Sequence, residues 1–234
     1  MKAALILAIV VALGLGGSTV YFRVRDTGAR HRADSLAVVA DSLATEAGAL
    51  QARNTTLAAT LDTQVAAASR QKQAEIEQLR STYDELVKDM QGEIAQGQIQ
   101  ITRLADRLNV SMVDKILFPS GEAGITPAGL RVLRRVGNVL KTTQGKTIRV
   151  EGHTDTVTIS PRLKATFPTN WELSTARASN VVRFLQDSVG IAPERLQAIG
   201  LAQYHPIASN ATARGRSQNR RIEIVLIPAE PRQP

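Results

Sequence analysis

The chain has 234 residues, a formal net charge of +8, no cysteine and only 3% aromatic residues. This composition excludes disulfides, thiolate metal sites and a cysteine-linked lipid anchor. The positive charge suits nucleic acid, an anionic membrane surface or an anionic wall polymer, and equally a solvated basic surface. The length predicts one or two domains.

The first predicted element is an uncharged, mostly apolar run from Ala3 to Phe22. A helix of this length spans about 30 Å, the thickness of a bilayer core. We therefore predict a transmembrane anchor over residues 1–25, with a cleaved signal sequence as the alternative. Arginines follow the run at once, so the positive-inside rule would place the rest of the chain in the cytoplasm. That orientation conflicts with the domain interpretation below.

Residues 26–109 are predicted to form a long helical stalk, because proline is absent and leucine recurs every seven residues. This heptad spacing is typical of a coiled coil and predicts a parallel homodimer, with Asn54 at one core position. Later apolar residues continue the pattern to Leu108 with shifts in phase. A disordered tether is the alternative, because the region is rich in Ala, Gln and Thr. The heptad leucines are Leu36, Leu43, Leu50 and Leu57.

Residues 110–228 are predicted to form a folded domain in which strands and helices alternate. Thr126 caps the first helix, with Pro127 at its first helical position. Thr169 and Glu172 match the capping box of a second helix. The order β-α-β-α-β-β predicts an α+β sandwich with the helices on one face of the sheet. The predicted strands cover 113–118, 147–152, 197–200 and 221–227.

Two charged residues of this domain suit a zwitterionic ligand. Asp155 follows a predicted strand, and Arg177 lies in the first turns of the second predicted helix. An arginine can hold a carboxylate by two parallel hydrogen bonds, and a helix amino terminus adds free N–H groups and a partial positive charge. Two structural alternatives remain open. Asp155 could cap a turn, and Arg177 could pair with Glu172 or Asp155.

Three ordered motifs carry a resemblance to a known family. They are Gly-His-Thr-Asp at 152–155, Asn-Trp-Glu-Leu-Ser-Thr-Ala-Arg-Ala at 170–178 and Asn-Arg-Arg-Ile-Glu-Ile at 219–224. Together they resemble the OmpA-like peptidoglycan-binding domain family. The stretches 114–121 and 167–171 are similar to its MotB-like branch. The resemblance implies non-covalent binding of the peptidoglycan stem peptide through meso-diaminopimelate.

The resemblance also implies roles for individual residues. Asp155 matches the aspartate that pairs with the ligand's ammonium, and Arg177 matches the arginine that grips a carboxylate. Asn170 matches a polar residue that lines the same cleft. The expected secondary contacts are Thr154, Leu173 and Arg221.

Other classes of site find little support in the sequence. We expect no catalytic residue, cofactor or metal, because no nucleophile–base pair or ligand cluster stands out. His153 is interpreted as a packed histidine at a strand end, without a second histidine or a carboxylate set to complete a metal site. Trp171 is interpreted as a packing residue. Arg220 and Arg221 lack the aromatic neighbours typical of single-strand nucleic-acid binding, so no nucleic-acid partner is expected.

These expectations combine into a non-enzymatic protein that tethers a membrane, or a membrane complex, to the cell wall. The expected partners are peptidoglycan, the membrane through residues 3–22, a second copy of the chain and other membrane subunits. The favoured location is the inner membrane with the carboxyl-terminal domain in the periplasm. Export and association with the outer membrane is the alternative. Residues 229–234 are expected to be a flexible tail.

The alternative function is that of a MotB-like stator or signalling subunit in an ion-driven envelope machine. A stator span needs an ionisable residue to carry the ion. The run from Ala3 to Phe22 contains no Asp or Glu, which weakens the stator interpretation more than the signalling one.

Overall fold

The structure, a computed structural model, describes residues 2–104 and 106–229, without the side chains of residues 2–12, Phe22 and Val24. The chain divides into two compact units, Met1–Ser69 and Arg70–Pro234. The helices are α1 (Lys2–Asp89), α2 (Gln91–Ala95), α3 (Asp114–Leu117), α4 (Pro127–Thr142), α5 (Asn170–Phe184) and α6 (Ala213–Asn219). The strands are β1 (Ile99–Arg103), β2 (Leu108–Val113), β3 (Lys146–His153), β4 (Leu196–Gly200) and β5 (Arg221–Pro228).

The first unit is formed by the greater part of α1. Every side chain described between residues 13 and 69 is exposed. Its hydroxyl side chains bond back to the helix, as when Thr56 Oγ1 donates to the carbonyl of Ala52 at 2.9 Å. The heptad leucines are exposed as well, and 60% of Leu43 is accessible. The helix is therefore present as expected, while its coiled-coil pairing stays a prediction.

The predicted membrane anchor falls mostly on side chains outside the description, those of residues 3–12 and Phe22. Within the part of the chain that the structure describes, no helical stretch combines the length and the apolar character needed to cross a membrane. The anchor stays a prediction. The predicted tail also lies outside the described residues, apart from Ala229.

The last turns of α1 belong to the second unit and pack into its core. Leu79, Leu86 and Met90 are all within 1% of complete burial. Their spacing of seven and four residues keeps them on one face of the helix. The core also contains side chains from the sheet and from α4. Its largest fully buried members further along the chain are Leu108, Met112, Leu117, Leu133, Leu140, Ile148, Leu185, Ile191 and Ile222.

The predicted continuous helix to Leu108 is wrong beyond Asp89. After the short helix α2, the backbone turns at Gly97, whose φ of +65° is a conformation that glycine adopts without steric cost. Ile99 and Ile101 then lie in β1, where Ile99 stands opposite Met112 of β2. The helical prediction rested on the seven-residue spacing from Ile94 to Ile101, whereas the two-residue spacing from Ile99 to Ile101 fits the alternation of a strand.

The sheet has five strands in the order β1-β2-β5-β3-β4. Only β3 and β4 run parallel among these strands, and the other neighbouring pairs are antiparallel. Buried and half-buried residues alternate along β2, β3 and β5, so one face is covered and the other partly open. The mixed α+β class predicted from the sequence is confirmed.

One predicted strand differs from the structure. The predicted strand at 113–118 is wrong, because β2 ends at Val113 and Asp114 begins the single turn α3. The backbone N–H of Phe118 donates to the carbonyl of Asp114 at 2.9 Å and closes that turn. The turn carries Asp114 away from the sheet and towards the cleft described below.

The two long helices of the second unit begin where their caps predict. Thr126 Oγ1 accepts from the N–H of Gly129 at 2.9 Å, and Pro127 is the first residue of α4. Thr169 and Glu172 form the predicted capping box of α5. The helix continues through a π-turn at Leu185–Val189 and stops at Gly190, which has a φ of +79°. Both amino-terminal caps are confirmed.

Two glycines let α5 lie directly on the sheet. A Cβ at Gly152 of β3 would be 2.2 Å from the carbonyl oxygen of Ser174, and one at Gly200 of β4 would be 2.1 Å from Oγ1 of Thr175. Such distances are far inside van der Waals contact. The absence of side chains at these two positions therefore sets how closely the start of α5 approaches the sheet.

Candidate ligand-binding cleft

The predicted binding residues converge on one open cleft between the end of β3 and the start of α5. Its volume is about 1350 Å³, larger than typical pockets for small molecules. A cleft of this size can take an extended segment of a polymer. Five of the six residues predicted to contact the ligand line it: Thr154, Asp155, Asn170, Leu173 and Arg177.

Arg177 is buried in the cleft wall and already has protein partners. Its Nη1 lies 2.7 Å from Oδ1 of Asp114, and its Nε donates to the carbonyl of Glu122 at 2.8 Å. The guanidinium also lies over the ring of Phe118, 4.9 Å from the ring centre. Only 2% of Arg177 is exposed. Its structural partner is therefore Asp114, and not Glu172 or Asp155 as the sequence alternatives had it.

Asp155 is equally well held, by a different arginine. One carboxylate oxygen forms an ion pair with Nη1 of Arg220, and the other accepts from the backbone N–H of Val157 at 3.0 Å. Asp155 is 5% exposed, whereas 39% of the Arg220 side chain is accessible. Asp155 thus both caps the turn after β3 and presents a charged pair to the cleft.

The cleft consequently contains two acid–base pairs, where the sequence predicted one acid facing one base. Burial raises the pKa of Asp114 above its ordinary value, and the charges of Arg177 and Arg220 oppose that rise. Burial likewise lowers the pKa of the Arg177 guanidinium, against the attraction of Asp114. For both partners the loss of hydration outweighs the attraction between them. With two carboxylates and two guanidiniums, the cluster is close to neutral overall, and burying its charges costs free energy.

Sequence reasoning missed Asp114 and Arg220. Asp114 lies in the stretch 114–121 that carried the MotB-like resemblance, but the strand predicted there did not indicate that its side chain faces the cleft. Arg220 stood next to Arg221, and only the start of β5 decides which of the two faces the cleft. Adjacent residues of a strand point to opposite faces, so one residue of register decides the assignment.

Arg221 is the predicted contact that does not line the cleft. It is 4% exposed and lies in β5 opposite His153 of β3. Its guanidinium contacts Glu223 at 2.5 Å and donates to the carbonyls of Asn219 and His205. These contacts lie on the other face of the sheet, so Arg220 takes the place that was assigned to Arg221.

Thr154 lines the cleft and has a buried polar atom without a partner among the described residues. Its backbone N–H donates to the carbonyl of Ala202 at 2.8 Å, but its Oγ1 is buried without a hydrogen-bond partner among the described residues. Ala202 itself has a φ of +48° and donates to Oγ of Ser174 at 3.2 Å. A buried hydroxyl without a partner is costly unless a ligand or water completes it.

Asn170 organises the loop above the cleft. Its Nδ2 donates to the carbonyls of Asp155 at 3.2 Å and Val157 at 3.1 Å. Nearby, Trp171 is 46% exposed and stacks on Tyr204, with 5.3 Å between ring centres. The expectation that Trp171 is a packing residue holds only for this exposed stack, because Trp171 does not enter the core.

His153 has neighbours that the sequence did not reveal. Its ring lies near the carboxylates of Glu151 and Glu223, and one ligand atom from each of the three residues falls within 4.8 Å of the other two. The interpretation that no carboxylate set accompanies this histidine is therefore wrong. The cause is strand pairing, which places Glu223 directly opposite Glu151 although they are far apart in sequence.

Comparison with protein families gives one match within this domain. A model of the OmpA family matches residues 117–220. The chain is also similar to a solved structure described as a MotB-like protein from Desulfovibrio vulgaris. The two share 30% identity and a TM-score of 0.61, and the match covers 68% of this chain and 99% of that one.

Two curated relatives extend the comparison. Motility protein B of Bacillus subtilis is 32% identical over 156 residues, which is 67% of this chain and 58% of the relative. The peptidoglycan-binding protein ArfA of Mycobacterium tuberculosis is 33% identical over 123 residues, which is 53% of this chain and 35% of the relative. The chain thus spans less than two thirds of the length of either curated relative.

Proposed function

We propose, because this chain belongs to the OmpA family, that its carboxyl-terminal domain binds peptidoglycan without catalysis and fastens a membrane or membrane complex to the cell wall. Similarity supports the proposal, because ArfA, a relative of this chain, is named for peptidoglycan binding. The structural observation that carries the proposal is that two carboxylates and two guanidiniums line one open cleft as two ion pairs.

A ligand suited to this cleft carries both signs of charge. A diaminopimelate side chain ends in an ammonium and a carboxylate on one carbon. We propose that its ammonium meets Asp155 and that its carboxylate meets the guanidinium of Arg177. Among the described residues, Arg177 uses Nε and Nη1 for protein contacts, which leaves Nη2 for a charge-assisted bond.

The remaining contacts follow from the same geometry. We propose that the unpartnered Oγ1 of Thr154, which is buried in the domain without ligand, bonds a polar group of the ligand once the cleft wall adjusts. Leu173, 6% exposed, offers an apolar surface for the methylene chain. Arg220 would release part of its contact with Asp155 when the ligand's ammonium arrives, because Arg220 is the more exposed partner. We propose Asn170 as a residue that holds the loop and touches the ligand only at its edge.

The test is sedimentation of the protein with purified, insoluble peptidoglycan. Asp155→Asn should lower the bound fraction at least tenfold, because it removes the charge that attracts the ammonium. Arg220→Gln should change binding by a smaller factor, since its charge competes with the ligand for Asp155. Arg177→Ala, the obvious variant, is a poor test because it leaves Asp114 buried without its partner.

Matched control positions lie near the carboxyl end of α5 and in the π-turn that follows it. Asp187→Asn and Arg183→Gln remove the same charges at exposed positions outside the cleft. Both should bind like the wild type. Equal binding by the wild type and Asp155→Asn would defeat the cleft assignment, and equal loss in all four variants would reduce it to a general charge effect.

The second candidate is a subunit of an ion-driven envelope machine. It is favoured by the names of two similar proteins, motility protein B and the MotB-like protein. The absence of Asp and Glu between Ala3 and Phe22 speaks against an ion-carrying span. Expression in a Bacillus subtilis strain lacking motility protein B should leave it non-motile. Restored motility would favour the stator function.

We further propose that the stalk pairs two copies and that Ala3–Phe22 holds a membrane. Two domains on one parallel stalk would offer two clefts to one wall lattice, and linkage raises the apparent affinity without new contacts. The proposed place is the cell envelope, with the domain on the wall side of the inner membrane. Amino-terminal sequencing of the mature protein tests whether the first segment is retained.

A further inference from the structure

A second polar cluster lies on the open face of the sheet, on the side of β3 and β5 that α5 does not cover. Glu151 and Glu223 stand directly opposite each other in the antiparallel pair. Both are mostly buried, with 17% and 15% of their side chains accessible. Like charges at directly opposed positions destabilise a sheet. Arg221 pairs with Glu223 and Arg149 lies near Glu151, but no ion pair among the described residues joins one cation to both carboxylates.

His153 completes this cluster on the same face, two residues beyond Glu151. It is 3% exposed, and neither Nδ1 nor Nε2 has a hydrogen-bond partner among the described residues. A buried imidazole with two unpaired nitrogens is unusual, because each unpaired polar atom costs free energy. Nε2 lies 3.8 Å from Oε2 of Glu151, so the ring is directed at the carboxylates without bonding to them.

We infer that Glu151, His153 and Glu223 form a binding site for a divalent transition-metal ion such as Zn²⁺. The three ligand atoms lie within 4.8 Å of one another. Ligand atoms around a tetrahedral zinc ion are roughly 3.4 Å apart, so small side-chain rotations would close the set. A mixture of imidazole and carboxylate ligands selects zinc and its neighbours over magnesium or calcium.

His205 is positioned to supply a fourth ligand. Its ring lies edge-on to that of His153, with 6.3 Å between the ring centres, and the residue is exposed. An exposed side chain can rotate towards the ion at little cost. A site of two histidines and two glutamates would follow, with water as the replacement for His205.

The neighbouring cations do not occupy this position. Arg221 donates Nε to Oε1 of Glu223 and Asn109 donates to Oε2, so each oxygen of that carboxylate accepts one hydrogen bond and would bind the ion through a remaining lone pair. Arg149 is 3.9 Å from Oε1 of Glu151. Partners of this kind orient metal ligands in known sites.

The experiment uses the full chain, stripped of metal with a chelator and titrated with Zn²⁺ by calorimetry and with Co²⁺ by visible absorption. We expect one saturable ion per chain, intense Co²⁺ bands of a low-coordinate site, and a Tm that rises with Zn²⁺. Glu151→Gln should weaken Zn²⁺ at least 100-fold, and His205→Ala about tenfold. Glu151→Gln removes a repulsion, so it should fold at least as well as the wild type.

The controls use the small number of histidines in the chain. His31 is the third of the three, and it lies exposed in the stalk. His31→Ala should bind Zn²⁺ like the wild type and Glu194→Gln, an exposed glutamate, should do the same. Failure of the wild type to bind either ion, or equal affinity in Glu151→Gln and the wild type, would overturn the inference. Peptidoglycan binding by Glu151→Gln should be unchanged, which separates this site from the cleft.

Discussion

Residues 13–69 and residues 70–229 contain similar local interactions in very different surroundings. Both have hydroxyl side chains bonded to the backbone, leucines at helical spacing and arginine–aspartate pairs at nearly the same distance. In the first region every described side chain is exposed. In the second, the same kinds of contact are buried within a core of strands and helices.

The difference teaches that a contact distance does not measure a contact's contribution to stability. The pair Arg30–Asp26 has a separation of 2.6 Å and the pair Arg177–Asp114 one of 2.7 Å. Water screens the first pair, whereas the second has lost its hydration and depends on its partner. Matched substitutions in the two regions test this directly.

The largest contrast should come from the arginines. Arg177→Gln should lower the free energy of unfolding by about 3–5 kcal/mol, because it leaves the buried Asp114 carboxylate without its partner. Arg30→Gln should change it by less than about 0.5 kcal/mol, because its pair is exposed. Urea denaturation of both variants measures the contrast. Similar small losses would mean that the cleft pair is as well hydrated as the stalk pair.

The leucines of α1 should give the next largest contrast. Leu86 is fully buried and Leu43 is 60% exposed. Leu86→Ala should cost about 2–5 kcal/mol in the unfolding of the second unit. Leu43→Ala should leave that transition unchanged and instead weaken self-association, if the stalk pairs as proposed. Sedimentation equilibrium gives the mass, and a single-chain mass for the wild type would contradict the dimer.

Two threonine substitutions should have smaller effects on stability, and the two effects should have opposite signs. Thr126→Ala removes the cap of α4 and should cost about 1 kcal/mol. Thr56→Ala, within the exposed part of α1, should stabilise that helix by a few tenths of a kcal/mol, because alanine has the higher helix propensity. Thermal unfolding followed by circular dichroism tests both. A loss on substitution of Thr56 would indicate that its hydroxyl has a partner in an assembly.

The effect of Asp114→Asn should also be small, despite the large effect of Arg177→Gln. Burial raises the pKa of Asp114, so the folded state takes up a proton at higher pH than the unfolded chain does. Ionised Asp114 therefore costs stability at pH 7. The wild type recovers that cost as the pH falls through the raised pKa towards 3.8.

At pH 7 we expect Asp114→Asn to lie within about 1 kcal/mol of the wild type, since Asn can still accept from Arg177. Any advantage of Asn should shrink as the pH falls, because the wild-type carboxyl then becomes neutral too. Urea denaturation between pH 7 and pH 4 measures the trend. An Asn variant that loses several kcal/mol at pH 7 would show that the ion pair outweighs its desolvation.

The sequence predicted those features that depend on local chemistry. Thr126 and Thr169 predict where two helices begin, because a capping side chain bonds only to the first turn of its own helix. The strands β3, β4 and β5 alternate clearly, and their predicted positions are within a residue or two of the observed ones. The common location of Asp155 and Arg177 also followed, because each lies at the end of a recognisable element.

What failed depends on pairing between distant segments. Ile101 fits the seven-residue helical spacing from Ile94 as well as the strand alternation with Ile99, and pairing with β2 decides between them. The choice between Arg220 and Arg221 depends on the register of β5. The partner of Arg177 is Asp114, 63 positions earlier in the chain, and nothing local marks it. The opposition of Glu151 and Glu223 has the same origin.

The two glycines beneath α5 have a practical consequence for redesign. Because Gly152 and Gly200 admit no side chain, the helix bearing Leu173 and Arg177 is fixed against the strands. The opposite wall is a loop, 156–168, that contributes several lining residues and spans no regular element. A library that randomises the loop while sparing both glycines would alter which wall peptide is accepted without moving the helix. Alanine at either glycine should displace α5 from the sheet and so abolish binding of any wall peptide.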